Sequence, residues 1–190
     1  MIIVAGDSHI QQFMGGDHPC RGYPAFVLRE PFKCFWLGPK TCWNFMKNCK
    51  EMLYQIMEEH ENDRLVISCG EIDCRRHVVH HAGLRGVGVD DVAREVAWRY
   101  VEIMEEFKDW RPIALGLPPQ MEAPQKDYDP RGTVEERNVA IDVFNDEVGK
   151  HVPFWPSPGQ EFPTLMLDSV HVLGETARRM LVELATETKR

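Results

Sequence analysis

Ile2-Ile3-Val4-Ala5-Gly6-Asp7-Ser8 opens the chain. An apolar run that ends in glycine and two polar residues reads as a short buried strand running into a turn. The segments further along repeat that pattern. Phe32 to Leu37 reads as a second strand, closed by Gly38-Pro39. Leu65 to Cys69 reads as a third, ending in Gly70-Glu71-Ile72-Asp73, and Ile113 to Leu117 as a fourth, stopped by Pro118-Pro119. Leu165 to Leu167 reads as a short fifth.

Helical spacing fills the gaps between these strands. Met46, Cys49, Leu53, Ile56 and Met57 share one face of a helix predicted over 41–60, a stripe that belongs to a core. Val92, Val96, Tyr100, Ile103 and Phe107 do the same over 90–110. Thr133, with Glu136 three residues on, has the signature of a capping box and opens another helix. Residues 174–188 form the last, and a brief helix is expected between Ser8 and Met14. The stretch Asp17 to Pro31, the run through Gly83, Gly86 and Gly88, and the Pro-rich segment up to Gly132 read as loops.

Strands that alternate with helices predict a parallel sheet covered on both faces, in one domain spanning 1–190. Ligands of such sheets bind at the carboxyl ends of the strands. Ser8, Gly38, Glu71, Asp73, Asp168 and His171 all fall at those ends.

Composition narrows the function classes. The chain of 190 residues is 43% hydrophobic and 27% charged, ordinary for a globular protein. Its net charge of −8 argues against a nucleic-acid or anionic-membrane partner, because a phosphate backbone needs a basic face. No apolar run reaches the length of a membrane span, and no secretory signal precedes the first motif. The expectation is therefore a cytoplasmic protein. The cysteines 20, 34, 42, 49, 69 and 74 form no Cys-x-x-Cys pair and are expected as free buried thiols; Cys69 and Cys74 are the candidates for a catalytic cysteine, but nothing near either marks it as activated.

A serine hydroxyl needs a base to become a nucleophile, and a helix N-terminus favours the charge that develops on it. Ser8 has that placement, although Ser8 and Asp7 equally suit a helix cap. Asp168-Ser169-Val170-His171 supplies the other half. A spacing of three lets a carboxylate orient an imidazole and stabilise its protonated form.

The ordered set Gly6-Asp7-Ser8, Gly38, Gly70-Glu71-Ile72-Asp73 and Asp168-x-x-His171 resembles the blocks of the SGNH (GDSL-type) hydrolases over nearly the whole chain. The resemblance implies a three-layer, doubly wound α/β fold with a five-stranded parallel sheet in the flavodoxin-like order 2-1-3-4-5. It implies Ser8 as nucleophile, His171 as general base and Asp168 as its orienting carboxylate. The backbone N–H groups of Ser8 and Gly38 become oxyanion donors, and no metal or organic cofactor is implied. The substrate expected is a small acyl ester, such as an O-acetyl group on a carbohydrate.

One block departs from the family pattern. The asparagine that donates its amide to the oxyanion corresponds to Ile72. Losing such a donor costs ~100-fold or more in rate. Arg75 is the candidate replacement, and Gly-Glu-Ile-Asp-Cys-Arg reads as a subgroup variant of the block. Glu71, Asp73 and His77 are the candidate substrate-binding residues, and Trp155 a candidate stacking platform for a sugar. His77, His80 and His81 would share a helical face but lack a matching carboxylate or cysteine for a metal. The competing reading is a non-catalytic module that holds a glycan or another polar ligand on the same fold. A flavodoxin- or receiver-like domain is disfavoured, because neither a phosphate loop nor an acidic cluster follows the first strands.

Overall fold

The computed structural model describes residues 1–10, 13, 25–121, 130–158 and 174–187, with 25–29, 174–177 and 187 described by backbone alone. The elements in chain order are β1 (Ile2–Gly6), a 3-10 turn (Ser8–Ile10), β2 (Ala25–Arg29), β3 (Phe32–Trp36) and α1 (Cys42–Glu58). Next come β4 (Arg64–Ser68), a π-helical run (Asp73–Val78) continuing into α2 (Val79–Arg85), α3 (Val89–Glu106) and β5 (Ile113–Leu115). The described chain ends with α4 (Val134–His151), β6 (Phe154–Trp155) and α5 (Gly174–Glu187).

The sheet order is β2-β3-β1-β4-β5-β6. Its five parallel strands, β3-β1-β4-β5-β6, follow the order 2-1-3-4-5 expected of the fold. β1 lies at the centre, with Gly6 facing Trp36 on one side and Ser68 on the other. A Cβ on Gly6 would lie 2.1 Å from the Ser68 carbonyl oxygen, so only glycine lets the strand ends approach this closely.

Side-chain alternation builds a three-layer core. Ile3, Ala5, Leu65, Ile67 and Ala114 pack under α1, α3 and α4. Ile2, Val4, Phe32, Cys34, Val66, Ile113 and Leu115 face the other way, toward Phe13 and toward Leu181 and Ala185 of α5. The helix stripes read from the sequence lie where they were expected. Cys49, Leu53 and Met57 are buried, as are Val92, Val96, Tyr100, Ile103 and Phe107. The Thr133–Glu136 capping box is closed in both directions, at 3.1 and 2.7 Å.

Three expectations change. The stretch 17–31 was read as loop, yet 25–29 form an antiparallel edge strand beside β3. The fifth parallel strand is Phe154–Trp155, beside β5, while 165–167 lie outside the described residues. Trp155 is thereby a strand residue, 4% exposed in the α5-side core, and offers no platform for a sugar. Finally, the polar run after Asp73 is not loop: 73–85 are continuously helical, and Gly86 ends the helix in the left-handed conformation at φ +64°.

Among the described residues, no helix is long and apolar enough to cross a membrane. Cys34, Cys42, Cys49, Cys69 and Cys74 are free and buried. Burial pushes the thiols of Cys69 and Cys74 up, opposite to what an activated nucleophile needs.

Candidate active site

The turn after β1 is shaped by Asp7. Its Oδ1 accepts from the backbone N–H of His9 at 3.0 Å and from the Ser68 hydroxyl at 3.3 Å, while its own N–H donates to the Ser68 carbonyl at 3.1 Å. The first of these bonds closes an Asx-turn, the local use to which a short carboxylate is suited. Asp7 and His9 both point into the protein. Ser8 between them is only partly buried, at the first position of the 3-10 turn. The sequence Gly-Asp-Ser-His thus buries its two flanking side chains and leaves the serine only partly buried at the end of the central strand.

Gly38 follows β3 and is buried, with φ +82°. The neighbouring Leu37 N–H donates to the Gly6 carbonyl at 2.7 Å, which brings this turn against the end of β1.

Gly70 leads out of β4 at φ +111°, a conformation natural to glycine, and a Cβ there would press on the Phe144 ring at 2.8 Å. The next residue, Glu71, is 2% exposed and is the hub of the site. Its Oε1 accepts from Arg75 Nε at 2.7 Å and from Gln120 Nε2 at 3.0 Å. Its Oε2 lies 3.7 Å from His9 Nε2. Glu71 and Arg75 are four residues apart, so the helical start after β4 places them on one face. Burial alone would raise the Glu71 carboxyl, but His9 and Arg75 outweigh it and hold the group down to about 2. Burial likewise opposes charge on His9, yet Asp7 and Glu71 together raise the imidazole above its ordinary value.

Gln120 is aimed by α4. Asn138 accepts from the Gln120 N–H at 2.7 Å and donates to its carbonyl at 3.1 Å. Asn145 grips Leu117 in the same way, at 2.8 and 2.9 Å. The two asparagines are seven residues apart, two helical turns on one face, and together they fix the chain that leaves β5.

Asp73 is fully buried and turned away from this hub. Its Oδ2 accepts from the Cys42 N–H at 2.7 Å, fastening the start of α1 to the π-helical run. Burial raises its carboxyl to about 7 despite that hydrogen bond. Ile72 is half-buried. His77 is half-buried one turn beyond Asp73, and burial together with the positive groups around it lowers its imidazole. Asp168 and His171 lie outside the described residues.

The structure brings Glu71 and Arg75 into one network and places Asp73 and His77 elsewhere on the same helix. Sequence reading did not single out His9, Gln120 or the two α4 asparagines. Gln120 sits at the carboxyl end of a parallel strand, the position that flagged the other site residues, but the two prolines before it mark only the strand's stop. A pair of asparagines seven apart inside a predicted helix was the other available signal.

At the sequence level no protein-family model matches the chain, and no curated protein matches it significantly. The fold does match solved structures. An aryl esterase from M. smegmatis superposes with a TM-score of 0.60 at 15% identity, over 99% of this chain and 97% of that one. Est24, a carbohydrate acetylesterase from Sinorhizobium meliloti, gives 0.60 at 14%, over 99% and 97%. A lipase/acylhydrolase from Enterococcus faecalis gives 0.55 at 14%, over 98% and 94%. At such identities the likeness establishes a shared fold, and it does so over nearly the full length of each chain.

Proposed function

We propose that this protein is a serine ester hydrolase of the SGNH (GDSL) type that acts through an acyl-enzyme on Ser8. The observation that carries the reading is the turn at the end of β1. It lies at the switch point of the sheet, where β3 and β4 flank β1 on opposite sides, and it presents Ser8 between two buried side chains. The esterase and lipase neighbours share this fold and so support the reading.

In this mechanism His171 takes the Ser8 proton as Oγ bonds to the ester carbonyl carbon. The tetrahedral oxyanion is met by the N–H groups of Ser8 and Gly38 and by the Arg75 guanidinium. His171, oriented by Asp168, returns the proton to the departing alcohol as the carbon–oxygen bond breaks. Water then repeats the sequence to release the acid. Glu71 accepts from Arg75 Nε at 2.7 Å and so fixes the position of the guanidinium at the end of β4. Of the candidate substrate-binding residues, His77 alone is partly exposed, while buried Glu71 positions Arg75 and buried Asp73 holds the Cys42 N–H at the start of α1. The substrate is a small acyl ester, with O-acetyl groups on a carbohydrate as the leading class and no cofactor required.

A second reading, a glycan-binding module without catalysis, draws on Ile72, which cannot donate where the family pattern has an amide. Ser8→Ala and His171→Ala separate the two. Each should lower kcat on a simple activated ester by about a thousandfold or more without loss of fold, because nucleophile and base act as a unit. No turnover in the parent chain favours the binding module, whereas wild-type turnover in either variant removes that residue from the mechanism.

A further inference from the structure

The hydrogen bond from Arg75 Nε to Glu71 Oε1 holds the guanidinium only as firmly as the carboxylate is itself held. Both side chains are long and lose much rotamer freedom when fixed. A second donor meets the same oxygen: Gln120 Nε2 lies 3.0 Å from Glu71 Oε1. The acceptor is a carboxylate, so the amide faces it with its nitrogen. Oε1 thus takes donors from two separate segments, the helical run after β4 and the strap that leaves β5. Oε2 lies 3.7 Å from His9 Nε2. Glu71, Gln120 and Arg75 are 2%, 3% and 8% exposed, so a lost donor is not readily replaced by water.

The base of this chain of contacts is α4. Asn138 closes on both backbone groups of Gln120, accepting from its N–H at 2.7 Å and donating to its carbonyl at 3.1 Å. Asn145 holds Leu117 in the same manner, and Pro118 and Pro119 stiffen the backbone between the two grips. The strap is therefore pinned to one helix at two points, and the Gln120 side chain is aimed from a fixed base. Its residue type suits the place. A lysine at 120 would set a second cation beside Arg75, and a carboxylate would repel Glu71. An amide donates a hydrogen bond and adds no charge.

We infer that Gln120 is a positioning residue for Arg75, acting through Glu71. An oxyanion donor is most effective when it is held in place before the charge develops. Two donors on Oε1 hold the carboxylate, and the held carboxylate sets the guanidinium. Without the amide, Glu71 and Arg75 are free to shift as a pair. The inference rests on the esterase reading for its effect on rate, and on the contacts alone for its effect on Arg75.

The test uses Gln120→Met, which keeps the length of the side chain and removes the donor, and Asn138→Ala, which loosens the base and leaves the amide. Turnover of a small neutral ester is measured for each, alone and combined with Arg75→Ala. The Nε–H resonance of Arg75, identified by its loss in Arg75→Ala, is followed by NMR of the whole protein. Gln120→Met should lower kcat about tenfold with KM nearly unchanged, because a displaced guanidinium loses contact with the transition state rather than with the substrate. Asn138→Ala should lower kcat about threefold in the same way. In the Arg75→Ala background neither change should lower kcat further, since residues that act as a unit are not additive. The Arg75 Nε–H should exchange with solvent about tenfold faster in Gln120→Met. If Gln120→Met does not fold, Asn138→Ala carries both readouts. Unchanged kcat where the parent cleaves the ester through Arg75, an equal fall with and without Arg75, or an unchanged Nε–H exchange rate would overturn the inference. The esterase reading fails separately. A parent chain that cleaves no ester, or a normal turnover in Arg75→Ala, removes the oxyanion role, and the Nε–H exchange still decides whether Gln120 holds Arg75.

Discussion

At the amino-terminal edge of the sheet, Asp63 pairs with the amino group of Met1 and lies 2.9 Å from His60 Nδ1, and Lys33 approaches the far side of that imidazole at 2.8 Å. These groups are all reached by solvent. At the carboxyl edge, Asp7, His9, Glu71, Asp73 and Arg75 are all buried. Water screens the first set, and such pairs contribute little. The second set carries a desolvation penalty that well-packed apolar residues would avoid. A protein that keeps buried charges at one edge of its sheet, and that edge the one where ligands of such sheets bind, holds them for chemistry or for positioning. The same fold thus spends stability at one end and not at the other.

Mutating one carboxylate at each edge puts that contrast to a direct test. Glu71→Gln leaves Arg75 and His9 facing a neutral amide in a dry site and should cost about 3–5 kcal/mol in denaturant unfolding. Asp63→Asn should cost no more than about 1 kcal/mol. Comparable losses at the two edges would show that burial does not set the value of these charges.

Arg75→Ala sharpens the contrast toward function. If Arg75 meets the oxyanion, kcat on a small neutral ester should fall about 100-fold, because the charge it stabilises exists in the transition state. Arg75→Lys should recover only part of that, since an ammonium lacks the fixed fork of donors. If Arg75 only binds an anionic substrate group, KM for a charged ester rises and the neutral ester is untouched.

Asp73 gives a smaller effect with a defined sign. Its folded-state carboxyl titrates near 7 against an ordinary 3.8. Between those values the folded chain keeps a proton that the unfolded chain has lost, so this residue makes stability fall as pH rises from about 4 to about 7. Glu71, held down to about 2, acts in the opposite sense and at lower pH: its contribution is present above its ordinary 4.5 and disappears as pH falls toward 2. Asp73→Asn should therefore flatten the decline of Tm between pH 4 and 7 and leave the acid limb in place. An unchanged slope would show that Asp73 is not the group responsible.

The fold was legible wherever local pattern and tertiary outcome agree. The run Ile2 to Gly6 is buried at every position, and the stripes on α1 and α3 face the core as their spacing demands. β6 was not legible, because two residues between Pro153 and Pro156 are too short to show a period and are a strand only by pairing with β5. The helix over 73–85 was hidden by its polar, histidine-rich composition, whose stability comes from packing on neighbouring helices. In the candidate site, Ser8, Gly38 and Glu71 stood out because strand ends are where ligands bind, and Arg75 because it follows the block in which Ile72 takes the place of the family asparagine. The link from His9 through Glu71 to Gln120 could not be found, because it joins three strand ends that only the folded sheet brings together. The seven-residue spacing of Asn138 and Asn145 marks one face of α4, but the backbone groups of Leu117 and Gln120 that they hold belong to another segment and are not visible in that spacing.

If Ser8 is the nucleophile, its hydroxyl will be captured covalently by an electrophile that reacts with activated serines. The protein is treated with a fluorophosphonate, and the adduct is located by peptide mass spectrometry. A single adduct on the peptide carrying Ser8, absent from Ser8→Ala and strongly slowed in His171→Ala, is the result expected. An adduct on another residue, or no adduct in a protein that still cleaves esters, would contradict it.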